Sequence, residues 1–561
     1  MSEFLRVLGF DPLRYWLLAW TCFALWLLAS VLPYDPRGSV FKRLGSPLNF
    51  AVLLLVAVVA FRWPALCFYK PVNPDEPQFL AGALTMLARH EFWWPDGMSS
   101  GPLVMLPLTV PALFGLPLDY AAGRAVGLVM SWGVVGFTCL TIGHLHGERL
   151  GRLLGLPLGC FMVLLNFWDF TAYASEWLPL FLCAAATWLM LTAFNADGAV
   201  GRRWRLAAAG AILGILPFSK LQALPMGAAI GLGGLVLVSL QPKSSGLRRG
   251  RDFGALLGAA AGAFLLFCAW LWSSGHAAHL EVAYVQHNLN YAQTRAVPWS
   301  ESFGELRYLT GFSWGFTSFH LGSLLLLAVG LAGLRRLPPA AWRPIASALL
   351  LLAAAYYAAL APGRSYPHYL LLVTMPLGLA VGVVFGHWLR AGRTGRPLRF
   401  ALLALFVVAG VGAQVTERLF VPHSLLRLLP AGSPRADVVT LLNRLKRPGD
   451  TLAVWGWRPE LYVETQLPQA VRDAHTERQM KDSPQRDYFR ARFLADVQAT
   501  PPAFFVDAVG SGGFLYQDRA AAGLETFAEL GDFVGRYYEL LGEIDSFRLY
   551  VRRDRAPGLP R

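Results

Sequence analysis

Long apolar blocks recur along this chain, and they limit its possible folds more than any other feature. Each block is about 18–22 residues long, the length that an α-helix needs to cross about 30 Å of hydrocarbon. Because lipid offers no hydrogen-bond partners, backbone groups must pair within the segment, so the blocks predict helices. Only 15% of the 561 residues are charged, against about a quarter in soluble domains. The chain is therefore predicted to be an integral membrane protein.

The apolar blocks predict a polytopic α-helical membrane domain of about twelve transmembrane helices within residues 1–420. The proposed spans are 13–33, 49–68, 121–143, 153–172, 177–194, 206–222, 223–240, 253–272, 317–334, 344–361, 369–390 and 398–417. The apolar stretch 103–118 is flanked and interrupted by prolines, so it is interpreted as a membrane-surface or re-entrant segment instead.

Basic residues lie mainly between the apolar blocks and set the predicted orientation. One set of loops contains 19 Lys and Arg: 34–48, 144–152, 195–205, 241–252, 335–343 and 390–399. The opposite loops within 69–120, 173–176, 273–316 and 362–368 contain only Lys70, Arg89, Arg295, Arg307 and Arg364. The first set is predicted to be cytoplasmic and the second extracytoplasmic. The net charge of +14 thus reflects membrane topology, and no basic face indicates nucleic-acid binding.

The sequence changes character after the last apolar block. Strand-like runs occur at Thr451–Val454, Pro502–Asp507 and Phe547–Arg552, and a helical stretch begins at Pro459. Short apolar strands that alternate with helices predict a small soluble α/β domain over residues 421–561. By the charge count, this domain is expected on the extracytoplasmic side.

The first extracytoplasmic loop contains an acidic pair, Asp75 and Glu76, directly before Pro77. Proline suits the first turn of a helix, so the carboxylates are expected at a helix N-terminus, where the helix dipole favours them. A carboxylate at this place can accept a proton from an incoming hydroxyl. It can also be an acidic cap of a surface helix, and the spacing alone favours the cap.

Polar residues also occur at two turns near the membrane. Lys220 lies between Pro217 and Pro225 in a broken helical hairpin. A lysine at the bilayer midplane costs about 2.5–3.5 kcal/mol, so a buried one needs a partner such as phosphate, unless it reaches outward to water. Arg364 and His368 lie in a short outer loop, and an arginine can bind phosphate oxygens bidentately.

Three histidines and one glutamate form a loose group in the long outer loop: His276, His279, Glu281 and His287. The first two are three residues apart and could meet on one helix face to bind a metal. Ordinary surface histidines are the expected alternative.

The order of these motifs resembles the GT-C glycosyltransferases, and in particular the branch of bacterial aminoarabinose transferases and protein O-mannosyltransferases, which is similar to glycosyltransferase family 39. The resemblance covers roughly residues 50–420. Its motifs are the Asp75-Glu76 pair, Ser99 to Leu103, Tyr173 to Glu176, Pro217 to Gln222, and Pro362 to Tyr369. The chain departs from the aminoarabinose branch at Gly101-Pro102, where relatives have Lys-Pro.

The resemblance implies an inverting transferase that moves a hexosyl or pentosyl group from a polyprenyl-phosphate donor to a lipid, glycan or protein acceptor. It implies a place in the bacterial cytoplasmic membrane. It assigns Asp75 as general base, with Glu76 beside it and Glu176 at a second acidic position that is usually Asp. It also assigns residues to the donor phosphate (Lys220, Arg364 and His368) and to substrate contact (Gln222, Tyr366 and Tyr369). No metal ligand is assigned, no cofactor is certain, and a divalent metal stays open.

Two other classes of function remain open from the sequence. A transporter or flippase of lipid-linked sugars would have charged residues near the membrane midplane and broken helices in two repeated halves. Only the hairpin at 206–240 is broken, and the acidic residues are expected at the outer surface. A noncatalytic scaffold whose outer α/β domain binds glycan is the third class.

Overall fold

The computed structural model of the chain describes residues 12–35, 37, 43–96, 100–195, 198–240, 246–293, 298–334, 339–390, 396–420, 435–544 and 546–556. Ser99 of the loop motif and the basic residues Lys243 and Arg295 lie outside the described residues.

The helices of the first 420 residues account for most of this region. In chain order they are α1 (Pro12–Val31), α2 (Pro47–Cys67), α3 (Glu76–Arg89), α4 (Tyr120–His146), α5 (Glu148–Leu154), α6 (Leu156–Leu164), α7 (Trp168–Thr171), α8 (Trp177–Thr192), α9 (Gly198–Ile215), α10 (Leu224–Ser239), α11 (Gly246–Ser273), α12 (His287–Gln293), α13 (Trp299–Thr310), α14 (Trp314–Ala332), α15 (Pro339–Leu360), α16 (Leu371–Arg390) and α17 (Arg396–Phe420).

The remaining chain combines helices with strands. Its elements are α18 (Arg435–Leu445), β1 (Leu452–Trp455), α19 (Glu460–Thr465), α20 (Glu477–Met480), α21 (Arg486–Ala499), β2 (Phe504–Asp507), α22 (Arg519–Ala522), α23 (Ala528–Tyr537), β3 (Tyr538–Ile544) and β4 (Phe547–Arg552). The three predicted strands correspond to β1, β2 and β4.

Within the described ranges, nine helices are long and apolar enough to cross a membrane: α1, α2, α4, α10, α11, α14, α15, α16 and α17. The apolar helix α8 is shorter, with 16 residues, and α9 includes the arginines of the basic cluster 202–205. The prediction of a polytopic α-helical membrane protein followed by a small α/β sheet region is confirmed.

The predicted helix 153–172 is instead divided into α5, α6 and α7. Pro157 lies in the first turn of α6, where a missing backbone N–H costs nothing, and Gly155 separates this helix from α5. The backbone is extended at Leu165 and Phe167, which ends α6 and sets α7 apart as a four-residue helix. This break places the carboxylate of Asp169 in a short turn rather than in a continuous span.

The chain divides into two compact units. Unit 1 comprises Met1–Cys67, Arg124–Ala278 and Asn288–Leu426, and unit 2 comprises Phe68–Gly123, His279–His287 and Arg427–Arg561.

The most enclosed helix of unit 1 is α16. Three glycines at four-residue spacing, Gly378, Gly382 and Gly386, let its backbone approach neighbouring helices closely. A β-carbon at Gly382 would lie 2.2 Å from Ile142, and one at Gly386 would lie 2.3 Å from His146. Residues at the start of α16 are therefore held by a tightly packed helix.

Unit 2 is built around a four-stranded sheet in the order β1-β2-β4-β3. Strands β1 and β2 are parallel, whereas β4 is antiparallel to both β2 and β3. Trp455, Phe493 and Phe505 belong to the core, and the short β1 and β2 strands are buried along their whole length. Burial on both faces explains why these strands read as continuous apolar runs.

The loop between α2 and α4 belongs to unit 2, and its segment 103–118 contains a short 3₁₀-helix, Leu106–Phe114. Leu113 and Phe114 are each 78% exposed. Apolar side chains exposed in this way can contact lipid, and the interpretation of the segment as a membrane-surface piece stays a prediction.

Candidate active site

A buried ion pair lies at the broken hairpin between α9 and α10 of unit 1. Lys220 is 5% exposed, and its ammonium forms an ion pair with Glu176, which is fully buried at the N-cap of α8. The same ammonium donates to the hydroxyl of Ser175 over 2.7 Å and lies 4.9 Å from the centre of the Tyr369 ring. Each of these partners stabilises a positive charge away from water.

The local sequence explains how Lys220 reaches this place. Two short 3₁₀-helices, Leu216–Phe218 and Leu221–Ala223, interrupt the hairpin, and Lys220 between them has an extended backbone. Pro217 and Pro225 each lie at the start of a helical segment, which fits their missing N–H groups. Lys220 therefore belongs to an irregular turn, and not to a helix face.

The start of α16 supplies the aromatic part of the site. The rings of Tyr366 and His368 are stacked, with centroids 5.6 Å apart and planes 7° apart. The ring of Tyr369 meets that of His368 edge-on at 5.1 Å. The backbone N–H of His368 donates to Asp169 Oδ2 over 2.8 Å, and its ring Nδ1 lies 3.1 Å from the same oxygen.

A tyrosine from helix α12 extends this group. The Tyr291 hydroxyl shares hydrogen bonds with those of Tyr366 and Tyr369. Burial raises the pKa of the Tyr291 phenol, so the hydroxyl stays protonated. The Arg364 guanidinium lies 4.3 Å from the centre of the Tyr291 ring. We call the whole set the lysine cluster: Asp169, Ser175, Glu176, Lys220, Tyr291, Arg364, Tyr366, His368 and Tyr369.

The lysine cluster has the donors that an anionic oxygen group requires. An ammonium has three N–H bonds, and among the described residues that of Lys220 donates only to Ser175 and Glu176. One N–H is thus available for a ligand. Arginine adds a planar pair of donors, and tyrosine hydroxyls can donate as well. The arrangement suits a phosphate group.

The predicted substrate contact Gln222 is near this group but is already engaged. Its side-chain amide donates to the carbonyl of Ala358 on α15 over 2.7 Å. The contact ties the hairpin turn to α15, so a role for Gln222 in substrate contact stays a prediction.

The acidic pair of the first loop belongs to unit 2. Asp75 occupies the N-cap position of α3 and is half-buried, and its side chain makes no capping hydrogen bond. Glu76 is fully buried, and its Oε2 accepts from the backbone N–H of Val72. Asp75 therefore lies at the predicted helix N-terminus without capping it through its side chain, whereas Glu76 closes the turn.

The α/β domain holds this loop along its length. Lys70 forms an ion pair of 2.9 Å with Glu464, and the Trp457 indole donates to the carbonyl of Pro74 over 3.4 Å. His475 lies parallel to Trp457 at 3.6 Å between centroids, and its Nε2 is 3.2 Å from the amide oxygen of Gln78. The turn that contains Asp75 is thus shaped by residues about 380–400 positions later in the sequence.

A second group of buried charges surrounds Asp96, which lies further along the same loop. Arg478 and Arg492 each pair with both Asp96 and Asp473; Arg492 Nη2 is 3.0 Å from Asp96 Oδ2 and 2.8 Å from Asp473 Oδ2. His279 Nε2 lies 3.3 Å from Asp96 Oδ2. We call these five residues the arginine network.

The arginine network fixes the ionisation of its members. Burial opposes the charge on Asp96, but Arg478, His279 and Arg492 outweigh it and hold the pKa of Asp96 well below its ordinary value. Burial lowers the pKa of His279 to about 4, against the attraction of Asp96. At neutral pH the carboxylates are charged and His279 is neutral.

The structure corrects the expectation of ordinary surface histidines. His276 and His279 are both buried, since His276 bonds with Ser274 and His279 packs on Trp93 with centroids 4.6 Å apart. Across the described part of the chain, no group of three or more His, Cys, Asp or Glu side chains is placed to hold a metal ion.

Known proteins resemble this chain in structure and not in sequence. No family model and no curated sequence matches the chain. Among solved structures it is similar to ArnT from Cupriavidus metallidurans bound to undecaprenyl phosphate, with a TM-score of 0.57 and 14% identity over 90% of this chain and 98% of that chain. The apo state of the same protein gives a TM-score of 0.53 with the same identity and coverage. This chain therefore shares the fold of that ArnT, and the predicted GT-C-like fold class is confirmed.

A weaker likeness, with a TM-score of 0.44 and 11% identity, covers 82% of the chain and 68% of an oligosaccharyltransferase from Archaeoglobus fulgidus in complex with Zn and sulfate.

Within this fold, unit 1 brings together six of the residues that the sequence singled out: Glu176, Lys220, Arg364, Tyr366, His368 and Tyr369. Sequence reasoning missed Asp169 and Tyr291. Asp169 gave a usable signal, because a charged residue within a predicted membrane span is a functional candidate by default. Tyr291 gave no sequence signal, because it follows the mostly polar stretch His287-Asn288-Leu289-Asn290 and does not stand out from it.

Proposed function

We propose that this protein is a membrane glycosyltransferase that moves a hexosyl or pentosyl group from a polyprenyl-phosphate donor to a lipid, glycan or protein acceptor. The lysine cluster carries the proposal: it joins a buried lysine with a spare N–H to an arginine, a histidine and three tyrosines. Support also comes from the likeness to ArnT, which was crystallised with undecaprenyl phosphate. A polyprenyl phosphate offers both the anion and the membrane lipid that such a site would bind.

The reaction is a single displacement with inversion. The acceptor hydroxyl oxygen attacks the anomeric carbon, and its proton passes to Asp75. The bond between the anomeric carbon and the phosphate oxygen breaks, and its electron pair stays on the phosphate. Lys220, Arg364 and His368 stabilise the negative charge that develops there, and the burial of Lys220 and His368 strengthens this interaction.

Asp75 suits the base better than Glu76. Asp75 is half-buried, whereas Glu76 is fully buried and its carboxylate accepts the Val72 N–H. Glu176 neutralises the charge of Lys220 and does not transfer a proton in this proposal, because the two side chains form a buried ion pair. A phosphate that enters the site would share Lys220 with this carboxylate.

The charge count supports a place in the bacterial cytoplasmic membrane with Asp75 and the lysine cluster on the outer side. In this view residues 1–420 form the transmembrane domain, and residues 421–561 form an extracytoplasmic domain. The donor would be a sugar that has already been carried across the membrane on its lipid.

Purified protein in lipid vesicles, supplied with polyprenyl-phosphate sugars and candidate acceptors, tests this function. The variant Asp75→Asn should lose about 10²–10⁴-fold in transfer rate while it still binds the donor lipid, because only the proton acceptor is removed. Retained transfer in Asp75→Asn would contradict the general-base role. Movement of the lipid across the vesicle without a transfer product would instead identify a flippase.

Mass analysis of glycolipids and glycoproteins from a deletion strain would identify the sugar and the acceptor. Activity measured with and without a chelator decides whether a divalent metal takes part.

A further inference from the structure

Asp169 is the buried charged residue of the lysine cluster that the proposed reaction does not yet use. It is 1% exposed and lies in the four-residue helix α7, among apolar neighbours. A buried carboxylate is costly unless hydrogen bonds and a compensating charge surround it. One of its partners is His368, which lies 199 positions away in the sequence.

Asp169 holds both the backbone and the ring of His368. Its Oδ2 accepts the backbone N–H over 2.8 Å and lies 3.1 Å from ring Nδ1, while its Oδ1 lies 3.3 Å from Nδ1. Stacking on Tyr366 and the edge contact with Tyr369 fix the plane of the same ring. The ring is therefore held by stacking on one face, by the perpendicular ring of Tyr369 and through its own backbone.

This geometry determines which nitrogen faces the carboxylate. With the Nδ1 proton directed at Asp169, Nε2 lies on the opposite side of the ring. A carboxylate at this distance also stabilises a positive charge on imidazole, as in other carboxylate–histidine pairs. Tyr369 lies between the two cationic side chains, since its ring packs on His368 and its centre lies 4.9 Å from the Lys220 ammonium.

We propose that Asp169 is a positioning residue that orients His368 and stabilises its positively charged form, so that His368 and Lys220 hold the donor phosphate from two sides of Tyr369. The inference rests on the proposed function, because it assigns a role within the same donor site. Asp169 acts through His368 and is not itself a catalytic residue.

The same contacts also fit a purely structural role for Asp169. Asp169 accepts the N–H of His368 at the start of the 3₁₀-helix Pro367–Leu370, and capping of that helix would by itself explain a buried acceptor. Asparagine separates the two roles. Its amide oxygen can still accept the backbone N–H, but it has no charge to stabilise the ring.

The test measures the Kd of the full-length protein in detergent for a short-chain polyprenyl monophosphate, together with the thermal unfolding temperature. Asp169→Asn should unfold near the wild-type temperature and bind the lipid phosphate about 10-fold more weakly, because the charge on His368 is lost. His368→Gln should lose a similar amount. The double variant should be no weaker than His368→Gln alone, because Asp169 acts only through that ring.

Asp252→Asn is the matched control. Asp252 is also a fully buried carboxylate of unit 1, and it pairs with Arg202 at 2.9 Å outside the lysine cluster. Its loss should leave the Kd for the lipid phosphate unchanged, which would show that charge removal by itself does not weaken binding.

Wild-type affinity in Asp169→Asn, or losses that add in the double variant, would overturn the inference and leave the proposed function intact. A loss of folding in Asp169→Asn that persists when His368 is Gln would assign Asp169 to helix capping and overturn it as well. A wild-type protein that does not bind the lipid phosphate would contradict the proposed function itself.

Discussion

The lysine cluster of unit 1 and the arginine network of unit 2 both keep opposite charges away from water, but they balance them differently. In the arginine network two carboxylates face two guanidinium groups, and each arginine pairs with both acids. In the lysine cluster the ammonium pairs with one carboxylate and one hydroxyl, and within the part of the chain that the structure describes it keeps one N–H for a ligand.

This difference indicates which buried charges are available for chemistry. In the arginine network the charges of the two acids and the two arginines balance within the group, and its effect is to hold the loop that contains Asp96 on the α/β domain. A pair with a spare donor can accept a phosphate oxygen without leaving a charge unpaired. Burial alone therefore does not identify a functional charge, and the way in which its neighbours balance that charge has to be compared as well.

The largest effect is expected for Lys220→Met. This change leaves Glu176 buried without its cation, which should lower the free energy of unfolding by about 3–5 kcal/mol. It should also weaken binding of a polyprenyl phosphate about 10- to 100-fold, since a charged hydrogen bond is lost. Thermal unfolding and lipid binding in detergent measure the two effects.

The double variant Lys220→Met with Glu176→Gln serves as the control for that prediction. It should recover most of the stability, because no unpaired charge remains, but not the affinity. Recovery of the affinity as well would show that Lys220 and Glu176 form a structural pair, as in the arginine network, and would contradict a phosphate-binding role for Lys220.

A smaller effect, on stability alone, is expected for Asp473→Asn in the arginine network. Asparagine still accepts hydrogen bonds, but it leaves two guanidinium groups with one carboxylate, at a cost of about 1.5–3 kcal/mol. Affinity for the lipid phosphate should not change. A loss of affinity in protein that remains folded would show that the network contributes to the donor site.

The smallest effect is expected from the pH dependence of unit 2. The pKa of His279 is about 4 in the folded protein, below its ordinary value of 6.5. The unfolded chain therefore takes up a proton first, so stability should fall as the pH decreases from about 6.5 toward 4. His279→Gln should reduce this slope, as thermal unfolding at several pH values would show.

His90→Asn is the control for the pH series, because His90 is an exposed histidine of the same unit and asparagine tolerates its left-handed backbone. An equal reduction of the slope in both variants would rule out His279 as the source.

Much of the fold could be predicted from the sequence because it depends on local patterns. Apolar length predicted the helices, and continuous apolar runs predicted the buried strands β1 and β2. The strand β3 was missed, since it is largely exposed and carries Glu539 and Glu543 among its residues. The break at Gly155 and Pro157 was also missed, because apolar length alone does not show where a helix is interrupted.

The amino-acid sequence by itself determined that the chain enters a membrane, how its helices are ordered and which polar residues stand out against an apolar background. These properties depend on composition and on spacing along the chain. Only the tertiary structure decided which polar residues meet. The partners Asp169 and His368 are 199 residues apart, and Lys220 and Glu176 are 44 apart. Such pairs form because burial requires each charge to find a compensating partner, and helix packing determines which partner is within reach.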